Sequence, residues 1–319
     1  MSWRPTATHA ALKLRARMLD TAREFFEQRG VLEVETPILS AAAVSDPQIE
    51  SLTTQITGLP GPRYLCPSPE YAMKRLLAAG SGDIYQICKV FRDAERGRWH
   101  NPEFTMIEWY RVGLDDAALM DEVEALLGAL LAPARRLEAA EHLSYAAALE
   151  RHAGVDAFKC SDEGLLEAAR RHGIHCDAQL DRDAKLDLLM ALVVGPRLGQ
   201  GRPCFVCDYP ASQAALARLK AGVPRVAARF ELYLDGLELA NGFHELGELK
   251  EQRARFTHDL NLRAARGQAL PPLDEHFLTA LEHGLPDCAG VALGFDRVVA
   301  IALGTDRLAG AMAFSVDNA

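Results

Sequence analysis

The 319-residue chain contains no run of 18 apolar residues, so no membrane-spanning helix is expected. Its start, Met1-Ser2-Trp3-Arg4-Pro5, lacks the apolar core of a secretory signal. Cysteine is sparse: seven scattered residues give no disulfide framework and fit a reducing cytosol, so the expected compartment is the cytoplasm. Cys204 and Cys207 form a single C-x-x-C inside the apolar run Pro203–Tyr209. With no second pair, they read as strand residues rather than a metal or redox site. His142, His152, His172 and His175 lack metal-ligand spacing and read as surface residues. Excess positive charge is absent too. A net charge of -9 argues against a broad nucleic-acid surface while leaving room for a local basic patch. There is also no Ser/His/Asp or Cys/His constellation for nucleophilic catalysis.

What is present is a soluble globular composition, 49% hydrophobic and 25% charged, long enough for a substantial core. The most informative stretch is Phe91–Arg111. Two strand-like runs, Ile84–Phe91 and Phe104–Val112, flank a polar loop with three arginines, a glycine and Asn101-Pro102, which predicts a long hairpin with a cationic tip. Period-2 alternation puts Phe104, Met106, Glu108 and Tyr110 on one face of the second strand, and Thr105, Ile107, Trp109 and Arg111 on the other. By itself this is also what an edge strand with one wet face looks like. Arg92, at the loop entrance, suits bidentate grip of a phosphate, and the Glu108/Tyr110 pair suits an ammonium group.

A second hairpin is predicted in Arg229–Glu245, where Asp235-Gly236 separates two alternating runs. The simplest register pairs Leu234 with Leu237, Tyr233 with Glu238 and Glu231 with Ala240. Glu231 and Glu238 then share a face as diagonal neighbours about 7–8 Å apart. Such a pair suits divalent ions bridging to a triphosphate, although two solvated glutamates fit the same pattern. Near the C-terminus, the Gly-rich run Gly290–Arg297 leads into a helix over Val298–Leu303, a geometry that lets backbone approach a nucleotide.

Elsewhere the periodicity predicts a helix over His9–Arg29, with Leu12, Leu19 and Phe26 recurring every seven residues and Ala11, Met18, Ala22 and Phe25 widening the stripe. Gly30 stops it, and a strand from Val31 follows, confined to an edge or bend by Pro37. Pro67-Ser68-Pro69-Glu70 opens a short helix over Tyr71–Ala79. A helix over Asp115–Leu131 comes next. Residues 135–222 read as a mainly helical insertion, with helices at Tyr145–His152, Ser161–His172, Arg182–Val194 and Ser212–Ala221 and a strand at Cys204–Tyr209. Helices over Leu249–Arg266 and Asp274–His283 complete the pattern.

Three of these stretches resemble the motifs of class II aminoacyl-tRNA synthetases, in the right order. Val31–Pro37 with its preceding helix resembles motif 1, which builds the family's dimer interface. The run H-N-P-E-F-T-M-I-E-W-Y resembles the lysyl version of motif 2, and Gly290–Arg297 resembles motif 3. The resemblance implies an α+β fold, a mostly antiparallel sheet flanked by helices, forming one homodimeric catalytic domain over residues 1–319. It further implies that ATP is held by Arg92, Asp93, Ala94, Asn101, Glu238, Leu239, Gly294 and Arg297, with Mg²⁺ on Glu231 and Glu238. Lysine is implied at Ser68, Pro69, Glu70, Glu108, Tyr110, Asn241, Phe243, Glu245 and Ala292, with Glu70 on the α-amino group. Strict alternation turns Glu245 away from Glu238, so a bend near Gly242 is expected.

The chain departs from the family pattern in two places. Phe91-Arg92-Asp93-Ala94 carries its glutamate one place late, at Glu95, so the family's adenine contact must come from Glu95 or the backbone. Ala292 replaces a motif 3 glycine, and its methyl reshapes the amino-acid pocket. With the motif 1 helix beginning near His9, no room is expected ahead of it for the OB-fold that reads the anticodon. The short length, Ala292 and the motif 2 run together resemble truncated lysyl-synthetase paralogues. Those attach lysine, preferably (R)-β-lysine, to a lysine of elongation factor P. The implied partners are therefore elongation factor P and lysine, not tRNA. Two rival readings remain: a minimal tRNA-directed or amino-acid-amidating enzyme on the same core, and a non-catalytic regulatory paralogue.

Overall fold

The computed structural model describes residues 3–319. Helix α1 (His9–Glu27) starts where the Thr8 hydroxyl accepts the Ala11 N–H, 3.2 Å away, and ends before Gly30, whose φ of 67° no β-carbon obstructs. Its buried face is Ala11, Met18, Ala22, Phe25 and Phe26, while Leu12 and Leu19 are only partly covered. A strict seven-residue repeat drifts around a straight helix, so the core follows the 3.6 period instead. Phe26 is fully buried inside the protomer, stacked on Tyr85 with ring centroids 4.3 Å apart.

Strand β1 (Leu32–Glu33) is an edge strand, followed by β2 (Leu39–Ser40), β3 (Thr53–Thr54) and β4 (Arg63–Leu65), which form a small separate sheet. Helix α2 (Glu70–Ala78) leads into the predicted hairpin, β5 (Ile84–Phe91) and β6 (Glu103–Val112). Asp115 caps α3 (Asp116–Leu131) by accepting the Ala118 N–H at 2.8 Å. Then come β7 (Glu141–Ser144), α4 (Tyr145–Ala153), α5 (Asp162–Arg171), α6 (Arg182–Leu189), β8 (Cys204–Pro210) and β9 (Leu219–Lys220). The second hairpin, β10 (Val226–Leu234) and β11 (Leu237–His244), precedes α7 (Leu249–Ala265), α8 (Glu275–His283), β12 (Cys288–Gly294) and α9 (Phe295–Leu303).

The main sheet runs β1-β5-β6-β12-β11-β10-β8-β7, with β9 on β10. Its pairs are antiparallel except at the two ends, where β1/β5 and β7/β8 are parallel. One face packs on α1, α3 and α9 through a core that includes Phe26, Trp109, Leu232, Val291 and Phe295. The opposite face packs on α4–α6 toward the β8 end and, over β5, β6 and β12, on α2 through Met73 and Leu77 against Ile84, Tyr110 and Cys288.

Two expectations for residues 135–222 change. Besides the expected strand, which is β8, the segment adds β7 and β9 to the sheet, and Ser212–Ala221 is not a helix. Its alanines and leucines have helical spacing, but Arg229 and Arg255 take the carbonyls of Gln213, Ala215 and Ala217, leaving a 3₁₀ turn and a short strand. Cys204 and Cys207 do lie in a strand, and both are free thiols.

Candidate active site

The site face of the sheet is built by alternation. β6 contributes Met106, Glu108 and Tyr110; β12 contributes Gly290, Ala292 and Gly294; β10 contributes Arg229, Glu231 and Tyr233. Tyr233 does pair with Glu238, but Glu231 lies opposite Asn241 rather than Ala240. The cause is a bulge. Leu239 has no opposite number, and Leu239 and Ala240 both turn into the core. One extra residue resets the parity, so Glu238, Asn241, Phe243 and Glu245 all belong to the site face. The irregularity sits three residues before the expected bend at Gly242. Gly242 instead makes room for a neighbouring side chain, since a β-carbon there would lie 2.3 Å from the Phe230 ring.

At one end of this face, two carboxyl groups, Glu70 and Glu245, flank one buried lysine, and a third, Glu108, lies near them. Lys74, fully buried in α2, donates to Glu70 Oε1 at 2.7 Å, and its Nζ lies 2.6 Å from Glu245 Oε2. The second contact is an ion pair whose angles fall outside a hydrogen bond. Glu108 accepts from Tyr110 (2.7 Å) and from Ser68 (2.8 Å), while the same Ser68 oxygen accepts the Glu70 N–H at 3.0 Å. Pro69 sets the entry to α2 between them. Burial, reinforced by the Glu70 charge, pushes the Glu108 carboxyl up to about 8. Burial also drives Glu245 up to about 8, and Lys74 offsets only part of that. Gly290 makes this packing possible, since a β-carbon there would stand 2.2 Å from the Tyr110 ring and 2.6 Å from Glu245 Oε1.

The other end is cationic. Arg92 faces the Phe104 ring at 5.2 Å, and its Nη1 is 3.5 Å from Glu95 Oε1, so the displaced glutamate does reach the motif 2 arginine. Asp93 caps the Ala94 N–H at 2.8 Å, and Ala94 takes a left-handed φ of 62° at this turn. Arg297, in the first turn of α9 just after Gly294, donates to the Glu238 carbonyl at 2.7 Å and lies 3.0 Å from His100 Nε2. Burial and the adjacent Arg297 lower the His100 pKa, which favours the neutral ring beside that guanidinium. Glu231 is held by Arg229 (2.7 Å) and Tyr233 (2.6 Å). Glu238 accepts no hydrogen bond at its carboxylate among the described residues, and burial followed by the Glu231 charge raises it to about 7.

Two of the expected nucleotide contacts are placed elsewhere by their side chains. Asn101 is buried, donating to the Glu103 carbonyl at 2.6 Å and accepting the Val316 N–H at 2.9 Å, which ties the loop to the C-terminal segment. Leu239 points into the core, leaving only its backbone on the site side. Sequence reasoning missed Lys74 and Arg229. The signal for Lys74 was a lysine within the Met73–Leu77 stripe of α2, four residues after Glu70.

The sequence pattern that defines the tRNA synthetases class II (D, K and N) matches residues 1–318. The chain belongs to this family. An Edwardsiella ictaluri protein named elongation factor P–(R)-β-lysine ligase is 51% identical over 325 residues, covering 100% of this chain and 98% of that relative. Proteins of the same name from Salmonella arizonae (48%, 100% and 98% covered) and Vibrio cholerae (48%, 99% and 98% covered) are also similar. The mostly antiparallel sheet flanked by helices is thus a class II synthetase core. No helix among the described residues is long and apolar enough to cross a membrane.

The described residues hold no cluster of three or more His, Cys, Asp or Glu that would cage a metal by themselves. Glu231 and Glu238 on one face, the second with an unpartnered carboxylate, nevertheless fit a Mg²⁺ shared with phosphates. That ion keeps much of its coordination for water and substrate oxygens.

Proposed function

We propose that this class II enzyme activates lysine or (R)-β-lysine with ATP and transfers it to a lysine ε-amine of elongation factor P. The carrying observation is the charge of the acid end: three carboxyls, Glu70, Glu108 and Glu245, share a single lysine, which pairs with Glu70 and Glu245, and two of the three are held up at about 8. A buried site in that state lacks a cation, and an alkylammonium side chain supplies it. Arg92 and Arg297 at the other end fit the phosphates of a nucleotide.

In this reading the substrate carboxylate attacks the α-phosphorus of ATP, the bond to the bridging oxygen breaks, and pyrophosphate leaves. Arg92 takes up charge on the α-phosphate, and Arg297, braced on the Glu238 carbonyl, orients the nucleotide. Glu231 and Glu238 would hold Mg²⁺, which supplies charge neutralisation at the outer phosphates when bound. The acceptor ε-amine then attacks the adenylate carbonyl, AMP departs, and the new amide loses a proton to solvent. Positioning carries the chemistry, with no side-chain nucleophile.

The same reading places the enzyme in the cytoplasm, in keeping with seven free cysteines. It also makes a dimer through the exposed edge of β1, where Leu32 is 57% exposed. The test is pyrophosphate exchange with each lysine isomer. Exchange that needs ATP and lysine, and that collapses in Glu238→Gln while the variant stays folded, supports the reading. Full exchange in Glu238→Gln removes the metal assignment, and no exchange with either isomer in the parent removes the activity.

A further inference from the structure

The face that carries Glu108 holds one more buried polar side chain, Gln86. It lies in β5 directly opposite Glu108 in the ladder and is 3% exposed. Opposed residues of an antiparallel pair have Cβ atoms about 4.5–5.5 Å apart, so the Gln86 and Glu108 side chains leave the same face of the sheet as cross-strand neighbours. Cys88, two residues along on the same strand, lies on the same face. Gln86 Oε1 is buried with no partner. A buried acceptor left unpaired is unfavourable and rare in native proteins, and where one persists beside a binding face a ligand is the natural completion.

Of the neighbouring carboxyls, Glu108 and Glu70 are already engaged, while Glu245 is ion-paired to Lys74 but accepts no hydrogen bond. Tyr110 and Ser68 occupy one position on each Glu108 oxygen, and Lys74 occupies Glu70. An alkylammonium brings three N–H donors and needs acceptors beyond a single carboxylate. A neutral carbonyl meets that need without adding a fourth buried negative charge to a cluster that already raises its own carboxyl pKa values.

We infer that Gln86 is a substrate-binding residue, its Oε1 accepting a hydrogen bond from the substrate ammonium beside Glu108. The inference rests on the proposed activation of lysine. Gln86→Met keeps length and removes the acceptor. The expected result in pyrophosphate exchange is a KM for lysine raised about tenfold, the size of one hydrogen bond to a charged group. The KM for ATP stays within about twofold, because the nucleotide end is untouched. The unliganded protein should melt at the same temperature or higher, since the substitution removes an unpaired carbonyl. Gln86→Leu, a second apolar replacement, should show the same split. An unchanged KM for lysine in a folded variant overturns the inference, as does a lowered melting temperature with equal losses toward lysine and ATP. Both outcomes leave the proposed activity standing, whereas a parent enzyme silent with both lysine isomers overturns that activity as well.

Discussion

Lys74 is the residue on which the acid end depends. Its ammonium is fully buried between Glu70 and Glu245, so removing it takes the hydrogen-bonded cation from Glu70 and leaves Glu245 without its ion-pair partner. Breaking a buried ion pair from one side costs about 3–5 kcal/mol, and Lys74→Met should lose stability of that order in urea unfolding. Loss below about 1 kcal/mol would mean the cluster is solvated. The raised carboxyls also fix a pH dependence. In the free enzyme, Glu108 and Glu245 hold their protons up to about 8, whereas a bound ammonium favours their ionised forms. Lysine binding therefore releases protons, and the KM for lysine should fall as pH rises toward about 8 and level off above it. A KM that is flat or rises over that range would contradict the assignment. For unfolding the sign is opposite: with folded pKa values above the unfolded value, these two groups stabilise the free protein most at low pH. That contribution is lost as pH rises through about 8.

Elements, rather than single residues, explain why so much of the site is legible in the chain. Glu108 and Tyr110 are readable because β6 alternates without interruption, and the β5/β6 hairpin falls where the polar loop predicts it. The β10/β11 hairpin is readable at its turn but not past it. The bulge at Leu239 leaves no local signature, since two consecutive apolar residues look the same whether they straddle a sheet or share a face. Ser212–Ala221 misleads for a tertiary reason, as two arginines distant in sequence claim its carbonyls. Lys74 was hidden because a lysine in an apolar stripe ordinarily reads as solvated. β12 offers a direct test of the packing between elements. Gly290→Ala places a methyl against Tyr110 and Glu245, and should cost about 1–3 kcal/mol of overpacking and weaken lysine activation more than ATP binding. A fully active, equally stable variant would show that the face is looser than described.

At the scale of the molecule, the motif 2 loop and the C-terminal segment meet beside the cationic end. Arg96 pairs with Asp317, Arg98 pairs with Asp306, and all four side chains are largely exposed. Exposed pairs of this kind are weak and easily exchanged, so the two arginines remain available to an acidic macromolecule approaching the site. Reversing both to glutamate should slow transfer to elongation factor P and flatten its salt dependence, while pyrophosphate exchange is retained. Equal transfer rates in parent and variant would place the acceptor elsewhere. The most direct measurement of the whole account is mass spectrometry of elongation factor P and of bulk tRNA after incubation with the enzyme, ATP and either lysine isomer. The expected result is one lysyl unit added to a lysine of elongation factor P, with tRNA left uncharged. Charged tRNA beside unmodified elongation factor P would contradict it and make the chain a minimal tRNA synthetase.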